Sequence, residues 1–323
     1  MNIFKGGNFS EIYYEALKFA STSDSIINSS RNGPVKDLGP AYFEIVGDCF
    51  RMPMLRNRRF NPFFALTEFS WFITGSNVVE PLQHYVGNFD KYSDDGSILF
   101  GAYGYRLRNK FLVDQISQAV NILKNEQNSR RVVLSMWGIE DLGAESKDIP
   151  CNTSIMFKIR EGKLDITVIN RSNDLFLGIP YNIFMFYLLQ CYMAKEVGIG
   201  IGTQRHFTDS LHLYETDFHK VENILTNNSI LEIRKKFKQL NPFSIEKYIE
   251  VQHQCIVERD FKSLNNGEYK EFFNSYKIYI ETGNIDRAIN TLSKDYLGYA
   301  GYLWFTGKRD SSNTPIPSFH EIV

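Results

Sequence analysis

Large apolar residues recur at helical spacing from Ser10 to Ala20 and again from Pro62 to Phe72, where one carboxylate, Glu68, interrupts an otherwise apolar run. The first pattern predicts a surface helix, the second a core helix. Between them, Ala41 to Phe50 has strand character. It follows the turn-rich Ser30-Arg31-Asn32-Gly33-Pro34, which sets Arg31 on a mobile loop. Loops are expected at Asp94 to Ser97 and at Asn125 to Ser129, flanking a helix from about Asp114 to Lys124, and Arg131 to Trp137 reads as a strand. From Thr153 to Asn170 the pattern is a hairpin joined at Glu161-Gly162-Lys163, with Leu164, Ile166 and Val168 alternating with Asp165 and Thr167. The apolar stretch from Ile183 to Ala194 is broken by Gln190 and too short to span a bilayer, so it predicts a buried helix. From about Leu231 onward the chain turns helical, charged and rich in Lys, Glu and Asn, with no recognisable motif, internal repeat or long linker.

A chain of 323 residues, 43% hydrophobic and 15% aromatic, can bury a large aromatic core. Lys and Arg total 36 against 37 Asp and Glu, a formal charge of -1. That balance gives no global attraction to nucleic acid or anionic lipid, so an anion it binds is expected to be small and held locally. The start, Met1-Asn2-Ile3-Phe4-Lys5, lacks the apolar run of a secretory signal, and cytoplasmic residence is expected. Cys49, Cys151, Cys191 and Cys255 show no metal-ligand spacing and read as free thiols; no metal is expected.

Among them only Cys151 sits in polar company. Pro150-Cys151-Asn152 leads by a strand into Asn170-Arg171-Ser172-Asn173-Asp174 and then Leu177-Gly178-Ile179-Pro180-Tyr181-Asn182. A nearby cation favours the thiolate, and an Arg-Ser pair one hairpin away supplies both that cation and a phosphate clamp. Taken alone, each residue also has a duller reading. Cys151 would be inert core packing, Arg130-Arg131 a solvated pair, His212 and Tyr214 a buried pair on a helix, and Glu68 a buried carboxylate without chemistry. For Cys191, Cys255, His206, His219 and His253 the structural reading stands.

The ordered series of motifs from Arg31 to Tyr214 resembles thymidylate synthase and the related pyrimidine-nucleotide hydroxymethylases. Pro150-Cys151 matches the nucleophile, Arg171-Ser172 and Asp174 the phosphate and folate positions, and Asn182 the residue that reads the base. His212 and Tyr214 match the pair that holds the sugar hydroxyl, and Glu68 and Tyr103 the acid-base water network. Arg130-Arg131 resembles the paired arginines that reach a partner subunit's substrate phosphate, with Arg31 also at the phosphate. Phe89 aligns with the family's shielding tryptophan, and Gly178 falls among the folate-binding positions.

The resemblance implies an α/β fold, a large mixed sheet with helices on one face and a sheet-to-sheet homodimer. It implies a catalytic domain over 1–235 and a helical extension over 236–323 packed on it. The implied substrates are a pyrimidine nucleoside monophosphate and 5,10-methylenetetrahydrofolate, joined at C5 through a Cys151-C6 adduct, with no membrane or nucleic-acid partner. Where the family has Cys-His and Gln-Arg-Ser, this chain has Cys151-Asn152 and Asn170-Arg171-Ser172, and it ends in Ser318-Phe319-His320-Glu321-Ile322-Val323 rather than a short apolar tail. A smaller shield at Phe89 and a weaker lid would both admit water. Hydroxymethylation is therefore favoured slightly over methylation. Asn182 favours uracil over cytosine, because an amide matches the O4 and N3-H edge. The alternatives are thymidylate synthase proper, a cytidylate hydroxymethylase and, last, a non-catalytic nucleotide- or RNA-binding relative.

Overall fold

Alternation in the Thr153 to Asn170 segment does produce a hairpin, extended at both ends: β5 (Asn152–Arg160) pairs antiparallel with β6 (Lys163–Asp174). The chain reverses at Glu161 and Gly162, both at positive φ (51° and 71°), a left-handed turn that glycine makes without strain. The molecule is described here from a computed structural model covering residues 1–47, 51–239, 259 and 267–308.

Seven strands form one mixed sheet in the order β1-β3-β7-β6-β5-β4, with β2 attached to β3. The others are β1 (Asn2–Gly6), β2 (Ile27–Ser30), β3 (Gly33–Ile45), β4 (Val133–Ser135) and β7 (Gly200–Tyr214). β6 and β7 run parallel, joined by a long helix, and β1 runs parallel to β3. The strand expected from Ala41 starts eight residues earlier, at Gly33, and ends at Ile45; residues 48–50 lie outside the described part. Ser30 to Pro34 is a tight hairpin turn rather than a mobile loop. Gly33 there has φ 119°, and Ser30 Oγ donates to the Gly33 carbonyl at 2.6 Å.

Eight helices matter to the argument. α1 (Phe9–Thr22) is capped by the Asn8 side chain and buries Phe9, Tyr13, Leu17 and Ala20 against the sheet, leaving its polar side outward. α2 (Pro62–Ile73) starts with proline in its first turn and an Asn61 cap, and it is buried almost all round. α3 (Gln115–Asn125) is capped by Asp114. α4 (Gly178–Val197) is the predicted buried helix, ended by Gly198 at φ 82°. α5 (Phe218–Thr226), α6 (Ile230–Gln239), α7 (Gly267–Thr282) and α8 (Tyr296–Thr306) complete the set.

These helices bury the sheet face that carries Phe43, Ile155, Phe157, Leu164, Ile166 and Val168. The opposite face, with Tyr42, Glu44, Met156, Lys158, Thr167 and Arg205, stays partly open and carries an ionic ladder in which Arg205 bridges Glu44 (3.2 Å) and Asp165 (2.8 Å). Around Phe63 of α2 the late helices close a second side of the core. Its ring stacks on Phe272 at 4.2 Å and meets Tyr276, Trp304 and Phe305 at 4.9 to 5.6 Å. Cys255, His253 and the C-terminal segment Ser318 to Val323 lie outside the described residues.

Candidate active site

The start of β5, the end of β6, the end of β7 and the first turn of α4 converge at one end of the sheet. Cys151 stands immediately before β5. Its carbonyl accepts the Arg171 N–H at 2.9 Å across the β5–β6 ladder, so the strand pairing itself sets cysteine and arginine side by side. The Arg171 side chain then turns back. Nε donates to Pro150 O (2.9 Å), Nη2 donates to Ile149 O (3.2 Å), and the same Nη2 lies 3.8 Å from Cys151 Sγ. Burial pushes the thiol above its ordinary range; the Arg171 charge and the Ser172 hydroxyl pull the other way.

Tyr103 reaches the same point from a different element. Its hydroxyl accepts the Cys151 N–H at 3.3 Å, and burial raises its pKa, so it is a neutral phenol there. The loop bearing it is fixed from below by Arg106, fully buried, which donates to Phe100 O (3.1 Å) and Met136 O (2.9 Å) and forms a two-pronged pair with buried Asp141 (2.6 and 2.9 Å). Gly104 lies so close to the Phe72 carbonyl of α2 that a Cβ would collide with backbone. Four residues earlier on α2, Glu68 is only partly exposed, and burial raises its carboxyl to about 8.

On the other side of the cleft, Asn182 Nδ2 donates to Asn173 Oδ1 at 3.2 Å. Gly178 makes this contact possible, since a Cβ there would run into Asn173 Oδ1. Asp174 sits opposite His212 in the β6–β7 register, and its Oδ1 accepts the Phe176 and Leu177 N–H groups (2.7 and 3.1 Å). Burial raises the Asp174 carboxyl, while the hydrogen bonds from the Leu177 and Phe176 N–H groups oppose the shift. His212 and Tyr214 lie edge to face at 5.4 Å on strand β7, not on a helix: alternate residues of a strand share a face, as do residues one turn apart on a helix. Phe89, half-exposed, packs on Phe64 (5.4 Å), which in turn meets Tyr181 of α4 (5.5 Å).

Three arginines behave differently. Arg31 closes the β2–β3 turn and donates to Ser146 O and Lys147 O, both at 2.7 Å, which ties it to the segment leading into Cys151. Arg130 and Arg131 are exposed ahead of β4. Arg131 pairs with Glu126 at 3.1 Å, and neither touches the Cys151 group of its own chain.

The thymidylate synthase family model matches residues 43–255. The chain belongs to the thymidylate synthase family. It is similar to the deoxyuridylate hydroxymethyltransferase of Pseudomonas phage M6, 38% identical over 225 residues that cover 68% of this chain and 64% of that protein. It is also similar to the deoxyuridylate hydroxymethyltransferase of Bacillus phage SP01, 31% identical over 231 residues covering 68% of this chain and 60% of the relative. The chain thus matches less than two thirds of the length of each relative.

Members of the thymidylate synthase family use methylenetetrahydrofolate as co-substrate. Motif reading alone did not find Asp148, Asn152, Asn173, Arg106 or Asp141. Asn152 is fully buried next to Cys151 with neither end of its amide in a well-formed hydrogen bond, and Asn173 Nδ2 is likewise without one. The departure of Cys151-Asn152 from the family's Cys-His was the available signal for Asn152. Arg106 and Asp141 are 35 positions apart and left no spacing to read. Among the described residues no helix is long and apolar enough to cross a membrane.

Proposed function

We propose that this protein transfers a one-carbon unit from 5,10-methylenetetrahydrofolate to C5 of dUMP and completes the reaction with water, giving 5-hydroxymethyl-dUMP. The observation that carries the reading is the Cys151 thiol held 3.8 Å from Arg171 by strand pairing, in a chain whose relatives are named for deoxyuridylate hydroxymethyl transfer. Addition of the Cys151 thiolate to C6 turns the unreactive C5 into a carbon nucleophile. Arg31, Arg171 and Ser172, with Arg130 and Arg131 of the partner subunit in a homodimer, would hold the phosphate by charge-assisted hydrogen bonds. His212 and Tyr214 would take the sugar hydroxyl and Asn182 the uracil O4 and N3-H edge.

The cleft suits a folate. The half-exposed Phe89 ring and the Leu177 side chain, 47% exposed, offer apolar surface, and Asp174 keeps Oδ2 as an acceptor after its backbone contacts. When bound, the folate supplies the methylene carbon that C5 takes up. Glu68, with its carboxyl raised to about 8, can both give and take a proton near neutrality, and with Tyr103 it would move the C5 proton through water. The extension over 236–323 would act as a brace on the catalytic part, since Phe272, Tyr276, Trp304 and Phe305 all pack on Phe63 of the helix that carries Glu68.

Incubating purified protein with methylenetetrahydrofolate and each of dUMP, dCMP, UMP and CMP, with mass analysis of the nucleotides, tests the reading. A hydroxymethyl product from dUMP is expected. A methyl product would make it a thymidylate synthase in activity, and a cytosine product would overturn the base assignment.

A further inference from the structure

Asp148 lies three residues before the nucleophile, and its position is built rather than incidental. One carboxylate oxygen, Oδ2, accepts the Gly101 N–H at 2.8 Å, two residues before Tyr103. The two segments are pressed together: a Cβ on Gly101 would lie 2.6 Å from the Asp148 carbonyl and 3.1 Å from its carboxyl group, so a side chain at 101 would push the carboxylate away. No protein donor among the described residues is found on the other oxygen, Oδ1, and Asp148 is partly buried. Its charge is felt at the Cys151 thiol and the Tyr103 phenol, and the Arg106 and Arg31 guanidinium groups act on it in turn.

A negative charge here works against the first half of the reaction, because it disfavours both the thiolate and the phenolate. Hydroxymethylation has a second half, which needs a base. After the folate departs, C5 carries an exocyclic methylene and a water must lose a proton as it bonds to that carbon.

We propose that Asp148 is the general base for this water, with the buried amide of Asn152 as a further hydrogen-bonding group for it. The inference rests on the hydroxymethylase reading above. The water oxygen bonds to the methylene carbon while its proton passes to Asp148 Oδ1. The electron pair of the C5-methylene double bond moves onto C5 and O4 as an enolate. Collapse of the enolate forms the C5-C6 double bond and expels the Cys151 thiolate, so atoms and charge balance without an oxidant or reductant. Burial lifts the Asp148 carboxyl above its ordinary range, which makes it a stronger base than a solvated aspartate. Asn152 is buried with neither end of its amide in a well-formed hydrogen bond, within reach of the Tyr103 phenol, so it offers one donor and one acceptor there.

Asp148→Asn tests the assignment, because the amide oxygen still accepts from Gly101 N–H and the loop keeps its tie. With dUMP, methylenetetrahydrofolate and added 2-mercaptoethanol, wild type should give mainly 5-hydroxymethyl-dUMP. The variant should lose that product by about 100-fold or more, the usual scale for losing a general base. It should instead release the C5 proton and divert the methylene to the thioether. Covalent trapping of 5-fluoro-dUMP with the folate, which stops before water enters, should remain within a fewfold of wild type, and Asp148→Glu should regain part of the hydroxymethyl product. Hydroxymethyl formation at the wild-type rate in Asp148→Asn overturns the proposal. So does loss of the 5-fluoro-dUMP complex, which would make Asp148 a structural or nucleophile-positioning residue. If wild type itself yields a methyl product or none, the parent reading has failed instead, independently of Asp148.

Discussion

Asn182 and Asn173 are joined by a single hydrogen bond, Nδ2 to Oδ1 at 3.2 Å, across the junction of α4 and β6. That bond engages one N–H of the Asn182 amide. The carbonyl and the second N–H remain for a base. Asn182→Asp should shift preference from uracil to cytosine nucleotides, because a protonated carboxyl accepts from a 4-amino group and donates to N3. One mismatched buried hydrogen bond is worth about 1–3 kcal/mol, roughly ten- to a hundredfold in relative kcat/KM. Gly178→Ala should blunt discrimination without reversing it, since its Cβ displaces Asn173 Oδ1. Competition between dUMP and dCMP in one reaction measures both.

Covalent chemistry at Cys151 predicts a pH signature. Burial raises the thiol pKa and the Arg171 charge restrains it, so the thiolate fraction should climb with pH through a midpoint above the ordinary thiol value. Alkylation at Cys151, followed by peptide mass mapping, should accelerate about tenfold per pH unit below that midpoint. Arg171→Gln should move the midpoint up and slow alkylation at pH 7. Cys151→Ser should abolish product while leaving nucleotide binding largely intact; turnover in that variant would remove the covalent mechanism.

Glu68 couples the site to stability. Its folded-state carboxyl, raised by burial to about 8, exceeds the ordinary 4.5, so between those values the folded chain keeps a proton that the unfolded chain has lost. Below about pH 4.5 both states are neutral there and the group has no effect; as pH rises toward 8 the native state loses stability by a few kcal/mol at most. Glu68→Gln removes this penalty. Its melting temperature relative to wild type should therefore rise from pH 4.5 to pH 8, while kcat falls roughly 100-fold or more for want of a proton carrier. A constant difference across the pH range would show the carboxyl to be ionised in the fold.

Exposed Arg130 and Arg131 predict complementation between subunits. A chain carrying Arg130→Ala and Arg131→Ala, mixed with Cys151→Ser, should regain activity, because one site of each hybrid dimer would hold an intact cysteine and the partner subunit's intact arginines. Hybrid dimers that form and stay inactive would place the arginines' action within their own chain.

Phe63 predicts how the late helices serve the site. Its ring contacts Phe272, Tyr276, Trp304 and Phe305 at once, so Phe63→Ala should cost about 3–5 kcal/mol of stability, read by urea titration. Below the unfolding transition, the loss of that brace should also lower kcat through Glu68, which the same helix carries.

Much of this was open to reading from residue order. Alternation at Leu164, Ile166 and Val168 marked a strand because one sheet face is buried, and the apolar run of Ile183 to Ala194 marked α4 because that helix is covered on nearly every side. β7 was not recognised as a strand at all. Its inward positions Gln204, His206 and Thr208 are polar and buried, satisfied in part by long-range partners such as Arg51, so the apolar alternation that signals a strand is missing.

The sequence by itself determined which residue types are proposed for the reaction and their order: a thiol, an arginine, an amide and two carboxylates, most of them on elements whose local patterns could be read. Only the tertiary structure decided their company. The 2.9 Å ladder bond sets Arg171 beside Cys151, the Arg106–Asp141 pair holds the segment that carries Tyr103, and the Gly101 N–H ties Asp148 to that same segment. The reason is physical. Local propensity acts over a few residues, whereas an electrostatic environment is made by groups many positions apart that meet only when the sheet closes against its helices.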